Sequence, residues 1–246
     1  MGSEPRLIDK VALVFGGSRG IGAAIVKQLA ADGASVALTY AKSPDKAAET
    51  ARVAEALGAS VMTIKADSAD PGAVKDAVAQ TVARFGRLDI LVVNAGILIR
   101  GTVDTLTLED FDRMVATNVR GVFVAIQAAA PHLTQGGRII TIGSNTAVRT
   151  AFPGGSVYSM TKGAVASLVR GAAIDLAPRG ITVNNVQPGP TATDMTEGYV
   201  QMVKPLVPLG RIGEPEEVAG LVAYLAGASA GFITGSSVTI DGGYVA

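Results

Sequence analysis

One unit near the start of the chain most constrains its fold. Val11-Ala12-Leu13-Val14-Phe15 is an uninterrupted apolar run of strand length. The turn Gly16-Gly17-Ser18-Arg19-Gly20-Ile21-Gly22 follows at once, and a helical pattern then runs through Leu29. This order is strand, glycine-rich turn, helix. Glycines let the backbone turn tightly and approach a pyrophosphate. The helix amino terminus offers it free N–H groups and positive dipole character. The spacing is G-x-x-x-G-x-G, not the commoner G-x-G-x-x-G. Taken alone, the unit is also compatible with a glycine turn that holds no cofactor.

The same alternation continues to the end of the chain. Strands are expected near 11–16, 35–40, 60–66, 89–93, 137–143, 181–187 and 237–241, with six main helices between them. Parallel strands joined by right-handed helical crossovers give an α/β, Rossmann-type, doubly wound seven-stranded parallel sheet. No linker-like stretch interrupts the pattern, so residues 1–246 read as a single domain with a flexible amino terminus at 1–7. Residues 191–210 hold Met195, Tyr199, Met202, Pro205 and Pro208 without a long helical pattern. They read as a lid over a substrate, with a passive surface loop as the alternative.

The chemistry concentrates at the carboxyl ends of strands, where open α/β sheets bind ligands. Asn94-Ala95-Gly96 follows the run Ile90–Val93. Ser144 follows Ile139–Gly143, and Pro188-Gly189-Pro190-Thr191-Ala192-Thr193 follows the strand that begins at Ile181. Tyr158 and Lys162 are four apart in a helical stretch, Gly155–Ala177, so both emerge on one face. A phenol titrates near ~10, and bringing it to ~7 takes about 4 kcal/mol of phenolate stabilisation. An ammonium one turn away supplies part of that, which makes Tyr158 a candidate general acid or base.

Together these residues resemble the short-chain dehydrogenase/reductase family, over about residues 8 to 243. The resemblance implies that Tyr158 donates or accepts the proton. It implies that Lys162 lowers the tyrosine's pKa and holds the nicotinamide ribose, that Ser144 orients the carbonyl, and that Asn118 completes a proton relay. Ser144 and Tyr158 would both donate to an oxygen that gains negative charge. Two positions depart from the family pattern: Phe15 stands before the glycine turn in place of the usual Thr, and Val93 opens the usual N-N-A-G. The serine-to-tyrosine spacing is fourteen, with Asn145 at the commoner thirteen.

For the cofactor, the expected contacts are Gly16, Ser18, Arg19, Gly20, Ile21, Gly22, Tyr40, Ala41, Lys42, Ser43, Asp67, Ser68, Asn94, Ala95, Gly96, Tyr158, Lys162, Pro188, Gly189, Thr191 and Thr193. By resemblance Asp67 lies beside the adenine. NAD sites usually place an acid near the end of the second strand. Here Tyr40-Ala41-Lys42-Ser43 carries none before Asp45. Arg19, Lys42 and Ser43 suit a 2′-phosphate, so the expected cofactor is NADP(H).

The expected function is interconversion of a small ketone and a secondary alcohol. Ile97, Leu98, Phe152, Met195 and Met202 are candidates for an apolar pocket. A carrier-linked 3-oxoacyl thioester ranks lower, with Arg179 and Gln135 at the positions where related enzymes receive the carrier. A module that binds a nucleotide such as cyclic di-GMP on the same fold is the alternative of a different class. The intact Ser144, Tyr158 and Lys162 favour catalysis over it.

Composition removes other classes. Basic and acidic residues number 21 each, for a formal net charge of zero, and no basic block suggests nucleic acid or an anionic membrane. There is no cysteine, and His132 is the only histidine, so no metal site is expected. No apolar run reaches a bilayer span and nothing directs export, which reads as cytoplasmic. Family resemblance implies a homotetramer built through the helices near Leu108–Leu133 and Gly155–Ala177. Small residues such as Ala125, Ala128, Ala164 and Gly171 would permit close approach there, and an apolar tail at 237–246 would pack near a neighbouring subunit.

Overall fold

The apolar runs become strands because helices cover them on both sides. The structure, a computed structural model, describes residues 7–246. Seven strands are present: β1 (Val11–Phe15), β2 (Ser35–Tyr40), β3 (Val61–Lys65), β4 (Ile90–Val93), β5 (Arg138–Ile142), β6 (Thr182–Pro188) and β7 (Ser237–Ile240). They form one sheet in the order β3-β2-β1-β4-β5-β6-β7, with every neighbouring pair parallel. The helices are α1 (Gly20–Ala31), α2 (Pro44–Ala56), α3 (Pro71–Phe85), α4 (Leu108–Val115), α5 (Gly121–Ala129), α6 (Ser156–Leu176), the single turn α7 (Val200–Val203) and α8 (Pro215–Ala226). A π-helical turn, Ala116–Arg120, joins α4 to α5. Among the described residues no helix is long and apolar enough to cross a membrane.

Strand positions agree with the sequence reading to within about a residue. β1, β4 and β5 are buried at every position, as strands sandwiched between helix layers must be. One core layer joins Ile25, Leu29 and Val222 to that sheet face, and the other joins Val78, Ile126 and Val169 to the opposite face. β6 is also fully buried, although its sequence is Thr-Val-Asn-Asn-Val-Gln-Pro. Its amides find partners sideways. Asn184 donates to the Ile233 carbonyl at 2.7 Å and accepts from Ser236 N, while Asn185 accepts from Thr141 Oγ1 at 2.9 Å and donates to Ser237 Oγ. Buried amides are tolerable only on such terms, and these bonds fasten β5 and the β7 edge to β6.

The expected flexible segment 1–7 lies outside the described residues except for Leu7, which is buried and donates its N–H to the Asp32 carbonyl. The end of the tail is held to the body of its own chain. Tyr244 is 6% exposed within its own chain. The Asp241 carboxylate accepts from the N–H groups of Gly243 and Val245 and from the Asn145 amide, which folds the tail back on the body. Many of the small helix residues likewise serve their own subunit, since Ala125, Ala129, Ala172 and Ala173 pack in the core.

The strand order reverses between β1 and β4, and this opens a crevice at the carboxyl ends of the strands. Phe15 and Val93, where the family carries polar residues, are simply core. The bracing falls to others: Asn94 Nδ2 donates to the Gly16 carbonyl at 2.8 Å, and Gly16 N donates to Thr39 Oγ1 at 3.0 Å. Gly16 adopts φ +74°, and a Cβ on Gly22 would collide with the Gly16 carbonyl while standing 2.6 Å from Asn94 Nδ2. Gly22→Ala is therefore expected to destabilise by about 2 kcal/mol or more. Gly220 is exposed within α8, and a methyl added there would meet nothing within 4 Å. Gly220→Ala should therefore stabilise by about 0.5–1 kcal/mol. Urea unfolding of both variants checks the contrast, and equal effects would contradict the packing of the glycine turn.

Candidate active site

β5 ends at Ile142, and Ser144 follows as the cap of a 3₁₀ turn, Asn145–Ala147. Ser144 Oγ accepts from Thr146 N at 3.2 Å and from Thr146 Oγ1 at 3.0 Å. Its own O–H is left to donate into the cleft. Asn145, the residue at the commoner spacing, turns its amide to Asp241.

Tyr158 and Lys162 rise from the first turns of α6 as the four-residue spacing requires. Lys162 is buried, and its Nζ donates to the Ile142 carbonyl at 2.9 Å while standing 5.6 Å from the centre of the Tyr158 ring. Burial pulls the lysine down to about 8. Tyr158 moves opposite to the sequence expectation and is pushed up to about 12, first by burial and then by the charge of Tyr199, with the Ser144 hydrogen bond working against both. The Lys162 ammonium is directed at a backbone carbonyl. The phenol is thus held neutral, the form that donates a proton.

Asn118 sits in the π-helical turn. Its Oδ1 accepts from Ile97 N at 2.9 Å, and its Nδ2 donates to the Ile97 carbonyl at 2.8 Å and to Thr161 Oγ1 at 3.2 Å. The side chain clamps the loop after β4 to the floor of α6, and it lines neither cavity described below.

Ser144, Tyr158 and Lys162 line a cleft of ≈ 210 Å³ together with Pro188, Gly189 and Thr191. A larger groove of ≈ 1500 Å³ runs along the sheet edge past Gly16, Ser18, Arg19, Gly20, Tyr40, Ala41, Lys42, Ser43, Asp67, Ser68 and Ala95. Ile21, Asn94, Gly96, Leu98, Thr193 and Met195 line both, so the two are continuous. Of the expected cofactor residues only Gly22 faces neither, because it lies behind the turn against Gly16. At the groove Arg19 pairs with Asp194 at 2.9 Å, and Lys46 pairs with the same carboxylate oxygen at 2.9 Å. Those two cations hold the Asp194 carboxyl below its ordinary value, Lys46 first.

The apolar wall differs in part from expectation. Leu98, Phe152 and Met195 line the cleft of Ser144 and Tyr158. Ile97 faces the groove instead. Met202 is 54% exposed, and its neighbour Val203 takes the wall position, because adjacent residues in a helical turn point about 100° apart. Sequence reasoning missed Arg100, Arg149 and Tyr244, and placed Tyr199 in the lid segment without a partner. Arg100 lies 4.4 Å over the Tyr199 ring and Arg149 5.8 Å from the centre of Tyr244. All four line the cleft. No motif announces them, since each pair joins segments far apart in the chain.

Lys162 also leaves a mark on stability. A lysine that titrates at about 8 when folded, against an ordinary 10.5, binds fewer protons folded than unfolded between those values. Stability therefore rises with pH from about 8 toward 10, below the region where the raised Tyr158 begins to oppose it. Lys162→Met should flatten that rise. Urea midpoints of both proteins across this range test it, and an unchanged pH slope would show that Lys162 is not the buried ammonium described.

Comparison with known proteins agrees with this geometry. A family profile described as enoyl-(acyl carrier protein) reductase matches residues 16–245. A short-chain dehydrogenase/reductase from Serratia marcescens BCRC 10948 is 56% identical, with TM-score 0.95 and coverage of 98% of this chain and 100% of the other. A short chain dehydrogenase from Burkholderia cenocepacia J2315, solved in complex with NADP, is 50% identical with TM-score 0.96 over 98% of this chain and 100% of the other. The cyclic-di-GMP-binding biofilm dispersal mediator protein of Escherichia coli K12 is 45% identical over 96% of this chain and 97% of its own. With its parallel sheet, its glycine turn and these matches along nearly the whole sequence, the chain belongs to the short-chain dehydrogenase/reductase family of oxidoreductases.

Proposed function

We propose that the protein interconverts a ketone and a secondary alcohol with NADP(H). The observation that carries this reading is the convergence of Ser144, Tyr158 and Lys162 in a cleft that opens directly into the glycine-lined groove. The groove suits a dinucleotide: Gly16 and Gly20 keep it clear of side chains, and no carboxylate stands at the end of β2, where Lys42 and Ser43 face it. Lys42, Ser43 and Arg19 would receive a 2′-phosphate, which must compete with Asp194 for Arg19. The nicotinamide, when bound, supplies or accepts the hydride. Ser144 donates to the substrate oxygen, and Tyr158 hands its proton to that oxygen as charge develops. Lys162 would turn from the Ile142 carbonyl to the cofactor ribose, which brings its charge to bear on the tyrosine. Asn118 keeps the loop at Gly96 and Ile97 in place beside it. Residues 191–210 act as the lid, since Thr193, Met195, Thr196, Tyr199 and Val203 already wall the cleft.

Two competing readings lose ground. Arg179 donates to the carbonyls of Ala130 and Leu133 at 2.7 and 2.6 Å, which ties it to the end of α5 instead of freeing it for an acidic carrier. Sequestration of cyclic di-GMP has no use for the serine, tyrosine and lysine set, although a relative carries that binding in its name.

Tyr158→Phe should lower turnover by ~10²-fold or more and leave NADPH affinity largely intact. Arg19→Gln combined with Lys42→Gln should weaken NADPH far more than NADH, by ~10-fold or more for each charged hydrogen bond lost. Assays of ketone reduction beside cofactor titrations separate the two roles. Near-normal turnover in folded Tyr158→Phe, or equal loss of both cofactors in the double variant, would refute the corresponding assignment.

We also propose a homotetramer. Leu108 on α4, Phe123 on α5 and Ile174 on α6 are 81%, 47% and 75% exposed, a burden for an isolated subunit on the helices named for assembly. Sedimentation should give about four times the 24.9 kDa chain mass, and a fully active monomer would end this proposal.

A further inference from the structure

The catalytic cleft has one feature that ketone reduction does not use. Its mouth carries two guanidinium groups, Arg100 and Arg149, and no aspartate or glutamate lines any part of it. Neither arginine makes an ion pair among the described residues, in a chain whose formal net charge is zero. Both are positioned. Arg100 is stacked on Tyr199 of the lid, and Arg149 lies beside Tyr244 while donating one N–H to the Tyr244 carbonyl at 3.0 Å. Stacking on an aromatic face orients a guanidinium and leaves its edge donors free. The floor, by contrast, is buried at Ser144 and Lys162, and the walls between are Leu98, Phe152, Met195 and Val203. Polar reacting groups lie at the bottom, apolar contact in the middle and unpaired positive charge at the rim.

We infer that the substrate is a ketone with an apolar body and an anionic group at the end remote from the carbonyl, received by Arg100 and Arg149. The inference rests on the carbonyl-reductase reading of the floor and adds the chemical class of its substrate. A carboxylate accepts two parallel N–H donors from one guanidinium, and a phosphate monoester accepts as readily. The charge is read at the mouth, where partial solvation limits each contact to the lower part of the usual range for charged hydrogen bonds. Because Arg100 is stacked on the lid and Arg149 is anchored to the tail, an anion between them would draw both flanks together over the bound ketone.

Two matched pairs of probes separate the sources of such a charge. One is 4-acetylbenzoate against 4-acetylbenzamide, and the other is 4-acetylphenyl phosphate against 4-methoxyacetophenone. The readout is the ratio of kcat/KM for the charged member to that for the neutral one, with NADPH, in the wild type, Arg100→Met and Arg149→Met. In at least one pair the wild type should prefer the charged probe, and each variant should reduce the ratio about 10-fold, with added salt acting in the same direction. The pair that responds identifies carboxylate or phosphate. Ratios near one in both pairs, or ratios the variants leave unchanged, would overturn the inference. Arg100→Met leaves the tail anchor in place, so it remains informative if Arg149→Met folds poorly. Calorimetric titration of benzoate against benzamide, with NADP⁺ present, reads the charge without turnover. Absence of reduction for every probe, with benzoate still preferred in an Arg100-dependent way, would count against the reductase reading and in favour of the anion site. Equal, weak binding of benzoate and benzamide would count against the anion site itself.

Discussion

The Gly16 carbonyl is the point on which the rest of this site depends. Asn94 donates to it from the end of β4, and the bare Cα of Gly22 lies against it from the start of α1. Two strands and a helix meet there with no room for a side chain. This closeness sets the tilt of α1 over the sheet and keeps its amino terminus open toward the groove. It also fixes where the loop after β4 begins, and hence where Gly96 passes Asn118 and Lys162. A methyl on Gly96 would stand 3.4 Å from Asn118 Oδ1 and 3.5 Å from Lys162 Nζ. Cofactor groove and catalytic floor are therefore built from one run of backbone contacts.

On that floor burial biases both titratable groups toward their neutral forms. Burial opposes the charge on Lys162 and equally opposes a phenolate at Tyr158. The pair does not neutralise itself, because the ammonium faces the Ile142 carbonyl. The buried amides of Asn184 and Asn185 in β6, by contrast, find partners inside the fold for both oxygen and nitrogen.

Most of the fold was legible in the sequence because period and punctuation carried it. Uninterrupted runs such as Val11–Phe15 and Ile90–Val93 become strands in a sheet covered on both sides, and the glycine turn marks the junction to α1. The positions of Ser144 and Tyr158 were legible for the same reason, since each falls at a boundary the pattern defines. The protonation of Tyr158 was not, because spacing places Lys162 on the right face but says nothing of the carbonyl its Nζ selects. The rim was also hidden. Arg100 meets Tyr199 and Arg149 meets Tyr244 only through the fold, and one-turn α7 gave no period from which to choose Val203 over Met202. Nor does apolar composition reveal that Asp241 draws the tail inward.

That inward tail bears on how the protein is made. A chain leaves the ribosome from its amino terminus, and early segments begin to fold while later ones are still being added. Here β1 through β6 and the glycine turn emerge first, yet the cleft lacks a wall until Tyr244 arrives, beyond the last strand of the sheet. The dinucleotide groove, lined by nothing beyond Met195, needs none of those later residues. A nascent chain therefore completes the walls of the groove well before those of the cleft, which stays open until the segment that follows β7 is made.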